Sequence, residues 1–282
     1  MLRLAARALL LTALMFPEMA NAQRWLTLPP TPTLPDLAIT GQFTPDGARH
    51  YYEIHGDNAK PAVLLLHGGG ANSNYWGHLV RDLVRDYRVI VMDSRGQGRS
   101  THEAATISYE QMADDVIALL DYLKVKETAV VGWSDGANIG FYLALRHPQR
   151  ITALVTFAGN ATPAGYQPNT NPEVMSAYVA RTRAEFLKLS YEPKSYAATM
   201  AALSIMWKKQ PTLTPKDFSA IKVRTAIFHA EHDEIIRRSH SEEIARQIPN
   251  AKFVLLRGVS HFALLQDPKG FNASVRAFLD VR

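Results

Sequence analysis

Three side chains spread from the middle of the chain to near its end could together carry nucleophilic chemistry: Ser134, Asp233 and His261. A serine hydroxyl is a weak nucleophile at neutral pH. It needs a base within hydrogen-bond reach, and that base needs an orienting partner. Ser134 sits in Val130-Val131-Gly132-Trp133-Ser134-Asp135-Gly136-Ala137, an apolar run followed by a serine with a glycine two residues to either side. This spacing suits a sharp strand-to-helix turn, because glycine lets the two arms approach where a Cβ would block them. The serine oxygen then stands at the tip of the turn, near a helix N-terminus whose N–H groups favour negative charge.

The base candidate is His261, in Gly258-Val259-Ser260-His261-Phe262. Its imidazole can take and return a proton near neutrality, so activity is expected to fall below about pH 6. The acid candidate is Asp233, in His229-Ala230-Glu231-His232-Asp233, just past an apolar run; Glu231 and Glu234 are its neighbours and competitors. Negative charge developing on a substrate oxygen needs donors as well. The turn Leu66-His67-Gly68-Gly69-Gly70 offers backbone N–H groups, Gly69 being preferred to Gly70, and the second donor is the N–H of Asp135. This glycine turn lacks the Lys-Ser/Thr ending or the GxGxxG spacing of phosphate loops. His67 is expected to bond nearby loops.

The elements that must hold these groups are legible in the hydrophobic pattern. Strands are expected at Gly47–His55, Ala62–Leu66, Tyr87–Met92, Glu127–Val131, Ile151–Phe157, Arg224–His229 and Lys252–Leu256. Helices are expected at Tyr75–Arg85, Tyr109–Leu123, Asn138–Arg146, Ser241–Gln247 and Pro268–Leu279. Alternating helices and doubly apolar strands define an α/β fold, with a mostly parallel central sheet covered by helices on both faces. Active sites of such sheets lie at the C-terminal strand ends, where all three candidates fall. Residues 161–222 break the rhythm, with helical patterns at Glu173–Leu189 and Tyr196–Lys208 and no good strand. They read as an inserted helical cap between a first core part, 23–160, and a second, 223–282. Its Met175, Tyr178, Phe186, Met200, Met206 and Trp207 either pack the cap together or line a substrate pocket.

His67-Gly68-Gly69-Gly70, Asp93-Ser94-Arg95-Gly96-Gln97-Gly98-Arg99-Ser100, the Gly-Trp-Ser-Asp-Gly elbow and the late Asp and His form a set that resembles the α/β-hydrolase superfamily. The resemblance covers roughly residues 47 to 160 and 223 to 282. It implies the nucleophile–acid–base order Ser134, Asp233, His261 and a structural role for Asp93. Members that open epoxides or displace halide carry aspartate at the elbow, so Ser134 disfavours those chemistries. The elbow is also similar to that of biphenyl-hydrolase-like members. The Asp135 carboxylate is either a favourable acid in a helix first turn or, as that similarity implies, a pocket group favouring cationic or amine-bearing substrates.

The chain has 282 residues, 47% hydrophobic and 20% charged, enough for one large α/β domain or two small ones. Its formal charge of +5 is carried without long basic runs, which gives a nucleic-acid role no support. With no cysteine, neither a thiolate nucleophile nor a disulfide framework is available. Residues 1–22 combine a basic start, an apolar run from Ala8 to Phe16 and a small-x-small site at Ala20-Asn21-Ala22, the pattern of a signal peptide cleaved before Gln23. That run is too short to span a bilayer. The proline-rich residues 23–40 read as an extended linker.

The expectation is therefore an exported protein, periplasmic or secreted, without stable membrane insertion once the signal is cleaved. It would use no metal and no cofactor and act as a serine carboxylesterase on small or medium esters. Other readings of the same machinery are a lactonase, an amidase, a carbon–carbon bond (meta-cleavage-type) hydrolase and an acyltransferase. From another class comes a binding protein that kept the fold and lost turnover.

Overall fold

A computed structural model describes residues 23–36, 38–102 and 107–281. The proposed signal peptide, residues 1–22, lies outside the described residues. Eight strands form a single sheet: β1 (Ile39–Phe43), β2 (His50–His55), β3 (Ala62–Leu66), β4 (Arg88–Met92), β5 (Thr128–Trp133), β6 (Ile151–Phe157), β7 (Arg224–Ala230) and β8 (Lys252–Leu256). Their order is β1-β2-β4-β3-β5-β6-β7-β8. The β1–β2 and β2–β4 pairs are antiparallel and every later pair is parallel.

Both faces of the sheet are buried, which is why its central strands read as continuous apolar runs. On β3 and β4, Leu64, Leu66, Ile90 and Met92 enter one core, while Val63, Leu65, Val89 and Val91 enter the other. The helices that cover them are α1 (Gly77–Leu83), α2 (Tyr109–Tyr122), α3 (Asp135–Arg146), α7 (Arg238–Gln247), the short α8 (Ala263–Gln266) and α9 (Pro268–Leu279). Between β6 and β7 the chain forms α4 (Pro172–Leu189), α5 (Tyr196–Lys209) and α6 (Pro215–Ala220), and no strand of the sheet. The boundary of α4 follows local chemistry. Asn171 accepts the Val174 N–H as an N-cap, and Pro172 occupies a first-turn position where no N–H is needed.

Two differences from the sequence reading matter for the site. First, α3 starts at Asp135 and not at Asn138, so the Asp135 N–H is a first-turn donor without an intrahelical partner. Second, residues 39–43 are an edge strand, a short and mostly exposed one whose pattern carries little hydrophobic signal. Residues 23–36 hold no strand or α-helix, as an extended segment requires, yet they are fastened to the rest of the molecule and are no free linker. No helix among the described residues is long and apolar enough to cross a membrane.

Candidate active site

Ser134 lies between β5 and α3 with φ +55° and ψ −114°, a left-handed conformation that a non-glycine residue adopts only under constraint. The constraint is visible. Its N–H donates to the Phe157 carbonyl at 2.8 Å, and its carbonyl accepts from Ala137 and Asn138 N–H at 2.9 and 3.1 Å. The flanking glycines are required by contact: a Cβ on Gly132 would overlap the Gly136 carbonyl, and one on Gly136 would overlap the Leu66 carbonyl. The elbow is therefore packed against the strand that ends in the glycine turn.

Asp233 and His261 meet after β7 and β8. Both Asp233 carboxylate oxygens lie 3.1 Å from His261 Nδ1. A carboxylate only accepts, so Nδ1 carries the proton and Nε2 is left as the basic nitrogen. Asp233 Oδ1 also accepts the N–H groups of Ile235 and Ile236 at 2.9 and 2.8 Å. Burial alone would raise the Asp233 pKa, but His261 and these donors outweigh it and hold the group below the ordinary carboxylate range. For His261, burial opposes the charged ring, while the carboxylates of Asp233, Glu234 and Asp135 together raise its pKa above the usual value of 6.5.

The competing acids have different partners. Glu231 is exposed and accepts the Gly258 N–H at 2.9 Å. Glu234 is buried and accepts the backbone N–H of His261 at 2.9 Å. The indole of Trp133 donates to the His261 carbonyl at 2.9 Å. Ring, N–H and carbonyl of His261 are thus each held by a different residue.

Ser134 and His261 open on one cavity of about 220 Å³ beneath the cap. Among the described residues no hydrogen bond joins them, a separation common in ligand-free sites. Of the cap residues singled out in the sequence, Met175, Tyr178, Met200 and Trp207 line this cavity. Phe186 packs against Tyr196 and Met206 enters the core beside the sheet. Tyr178 donates its hydroxyl to the Gly69 carbonyl at 2.8 Å, which couples the cap to the glycine turn. In that turn the Gly70 N–H is committed to Gln97 Oε1 at 2.6 Å, leaving Gly69 as the neighbouring donor.

Asp135 departs from the simple first-turn acid. Its carboxylate is buried in the cavity wall, accepting Tyr109 Oη at 2.6 Å and Trp207 Nε1 at 2.8 Å. Burial raises its pKa, partly offset by those two donors. Tyr109 and Trp207 lie 26 and 72 residues away in the chain, so no local pattern connected them to Asp135.

His67 bridges loops: Nδ1 donates to the Gly68 carbonyl at 2.8 Å and Nε2 accepts the Ser94 N–H at 2.9 Å. Asp93 accepts the N–H groups of Ser73 and Arg99 at 2.7 and 2.8 Å. His229 Nδ1 lies 3.0 Å from Ser241 Oγ, and the His232 ring stacks on Trp25. One histidine–carboxylate cluster elsewhere, Asp46, His50 and Asp115, has the geometry to surround a cation. The Arg95 guanidinium already bridges its two carboxylates, so the cluster serves as an ion pair that fastens the Asp93–Ser100 loop.

Residues 61–196 match the family model described as alpha/beta hydrolase fold. A candidate carbamate hydrolase, RutD, of Caulobacter vibrioides is 28% identical over 258 residues, covering 82% of this chain and 95% of that protein. Among solved structures, Est816, described as an N-acyl homoserine lactone degrading enzyme, superposes with a TM-score of 0.71 at 26% identity, covering 85% of this chain and 100% of that one. The enol-lactonase of Burkholderia xenovorans LB400 shares the fold, with a TM-score of 0.70 at 23% identity over 85% of this chain and 100% of that one. The chain has the α/β-hydrolase fold and is a hydrolase of that fold.

Proposed function

We propose that the protein is an exported serine hydrolase that cleaves carboxylic esters of small or medium substrates through an acyl-enzyme. The observation that carries this reading is the Asp233–His261 pair, whose histidine opens with the strained Ser134 elbow on one apolar cavity. His261 Nε2 takes the Ser134 proton as Oγ attacks the substrate carbonyl. The N–H groups of Gly69 and Asp135 receive the charge that develops on the carbonyl oxygen. On collapse, the imidazolium protonates the departing alcohol. Water, deprotonated by the same nitrogen, then releases the acid and restores Ser134. A cavity of about 220 Å³ suits a short acyl group.

The buried Asp135 carboxylate supports a second preference within this chemistry. Its remaining acceptor capacity favours substrates with an N–H or ammonium group near the scissile bond, and the similarity to a candidate carbamate hydrolase points the same way. The lactone-degrading neighbour adds cyclic esters to the panel worth testing.

The test is hydrolysis of p-nitrophenyl esters from acetate to dodecanoate by residues 23–282, beside Ser134→Ala. Turnover with a short-chain optimum, lost in the variant, supports the reading; turnover confined to carbamates, amides or lactones moves the bond type. A folded protein that is inert to all of these and is not labelled at Ser134 by an activated phosphonate is a binding protein. Export is tested by expressing the whole chain and reading the N-terminus of the product, expected at Gln23.

A further inference from the structure

We infer that residues 24–33 are a positioning strap for the active site, and that Gln266 is the positioning residue through which they hold the turn carrying His261. The inference rests on the catalytic reading of His261 above. The strap is proline-rich, with Pro29, Pro30 and Pro32. Proline stiffens an extended chain and lacks the N–H a sheet would need, so the strap's carbonyls are available to side chains.

Towards the core, those carbonyls and side chains converge on one turn. Gln266 Nε2 donates to the Thr27 carbonyl at 2.8 Å and to Ser260 Oγ at 2.9 Å, while its Oε1 accepts the Ser260 N–H at 2.7 Å. Ser260 immediately precedes His261. On the other side of the turn, Arg24 donates to the carbonyls of Gly258 and Arg257 at 2.9 and 3.2 Å and pairs with Asp267 at 3.2 Å. The Trp25 ring stacks on His232, next to Asp233, with centroids 4.0 Å apart.

Towards the cap, the same segment binds α4. Arg181 donates to the carbonyls of Leu28 and Pro29 at 2.8 and 2.5 Å, and Thr31 Oγ1 donates to Glu185 at 2.5 Å. Asn171, the N-cap of α4, donates to the Trp25 carbonyl at 3.3 Å. One stiff segment therefore ties the histidine turn and the helix that roofs the cavity to each other. Since a displacement near 1 Å at a reacting group costs on the order of 10²-fold in rate, loosening this tie should be visible in turnover.

Gln266→Glu separates the two links. The carboxylate can still accept the Ser260 N–H and, in place of the amide donor, the Ser260 hydroxyl proton, but it cannot donate to the carbonyls of Thr27 and Trp25. Arg24→Met removes the second grip without touching Gln266. The measurements are kcat and KM on the preferred ester, and hydrogen–deuterium exchange of the 257–267 segment, each beside the parent. The expected result is kcat lowered about tenfold with KM nearly unchanged, and exchange in 257–267 at least about fivefold faster while the central strands exchange as before. Parent-like kcat and exchange in both variants would overturn the inference. Exchange needs no substrate, so it still decides the matter if the parent hydrolyses nothing and the ester reading fails. Should Gln266→Glu fail to fold, Arg24→Met, which removes the bonds to the Gly258 and Arg257 carbonyls and the ion pair with Asp267, decides alone.

Discussion

Trp207 of the cap donates its indole N–H to Asp135 Oδ2 at 2.8 Å, while Tyr109 of the core donates to Oδ1 of the same carboxylate at 2.6 Å. The residue after the elbow serine is therefore shared between core and cap. A buried carboxylate held by two donors is fixed in direction, so its backbone N–H and its side chain are oriented together.

Trp207→Phe removes one of these donors while keeping a ring under the cap. A charged acceptor that loses a buried donor costs about 1–3 kcal/mol, which urea unfolding would register. Because the freed Oδ2 faces the cavity and is open to another donor, KM should fall for substrates with an N–H or ammonium group and stay close to the parent value for neutral esters. Equal effects on neutral and amine-bearing esters would count against a recognition role for Asp135.

Asp233→Asn keeps the volume of the side chain but cannot hold the Nδ1-protonated imidazole as a carboxylate does. Turnover should fall about 10³–10⁴-fold with the fold retained. Glu231→Gln, at an exposed residue bonded to Gly258, should leave turnover close to the parent. A reversed ranking would move the acid role to Glu231.

The pH profile should sit higher than the sequence alone suggests. Three carboxylates raise the His261 pKa against the effect of burial. The working base is the neutral ring, so a raised pKa means activity is lost at a higher pH on acidification. The acid limb of kcat/KM is expected above 6.5 and not near 6. Glu234→Gln removes one of the raising charges and should shift that limb downward. An upward or absent shift would contradict the electrostatic assignment.

Gly132→Ala and Gly136→Ala should both be poorly tolerated, because each new methyl meets a backbone carbonyl that cannot swing aside. Overpacking of this kind costs about 1–3 kcal/mol and commonly more against main chain. Thermal unfolding of the purified variants, beside Gly258→Ala as a φ-strained control with no such contact, measures it.

Much of the fold was legible because its strands are buried on both faces. Ala62–Leu66 and Ile151–Phe157 have the limits their apolar runs imply, and so does the half-buried edge strand Lys252–Leu256. Strand β1, the short helix α6 and the four-residue α8 were not legible: Ile39–Phe43 is largely exposed, and the two short helices have too few turns to show a period. The start of α3 was misplaced because Asp135-Gly136-Ala137 resembles a turn in isolation; the contact between β5 and the helix makes it helical.

By itself the sequence carried the expectation of serine chemistry. The residue types and order of Ser134, Asp233 and His261, and the glycines that a strained elbow demands, follow from steric and proton-transfer requirements that are local to each motif. Only the tertiary structure decided which acid grips the imidazole, which turn amide stays uncommitted, and that Asp135 faces the cavity. It alone turned the proline-rich segment from a linker into a strap across the site. These outcomes depend on hydrogen bonds between residues far apart in the chain, and the direction of a side chain across such a distance is set by packing, which no local spacing records.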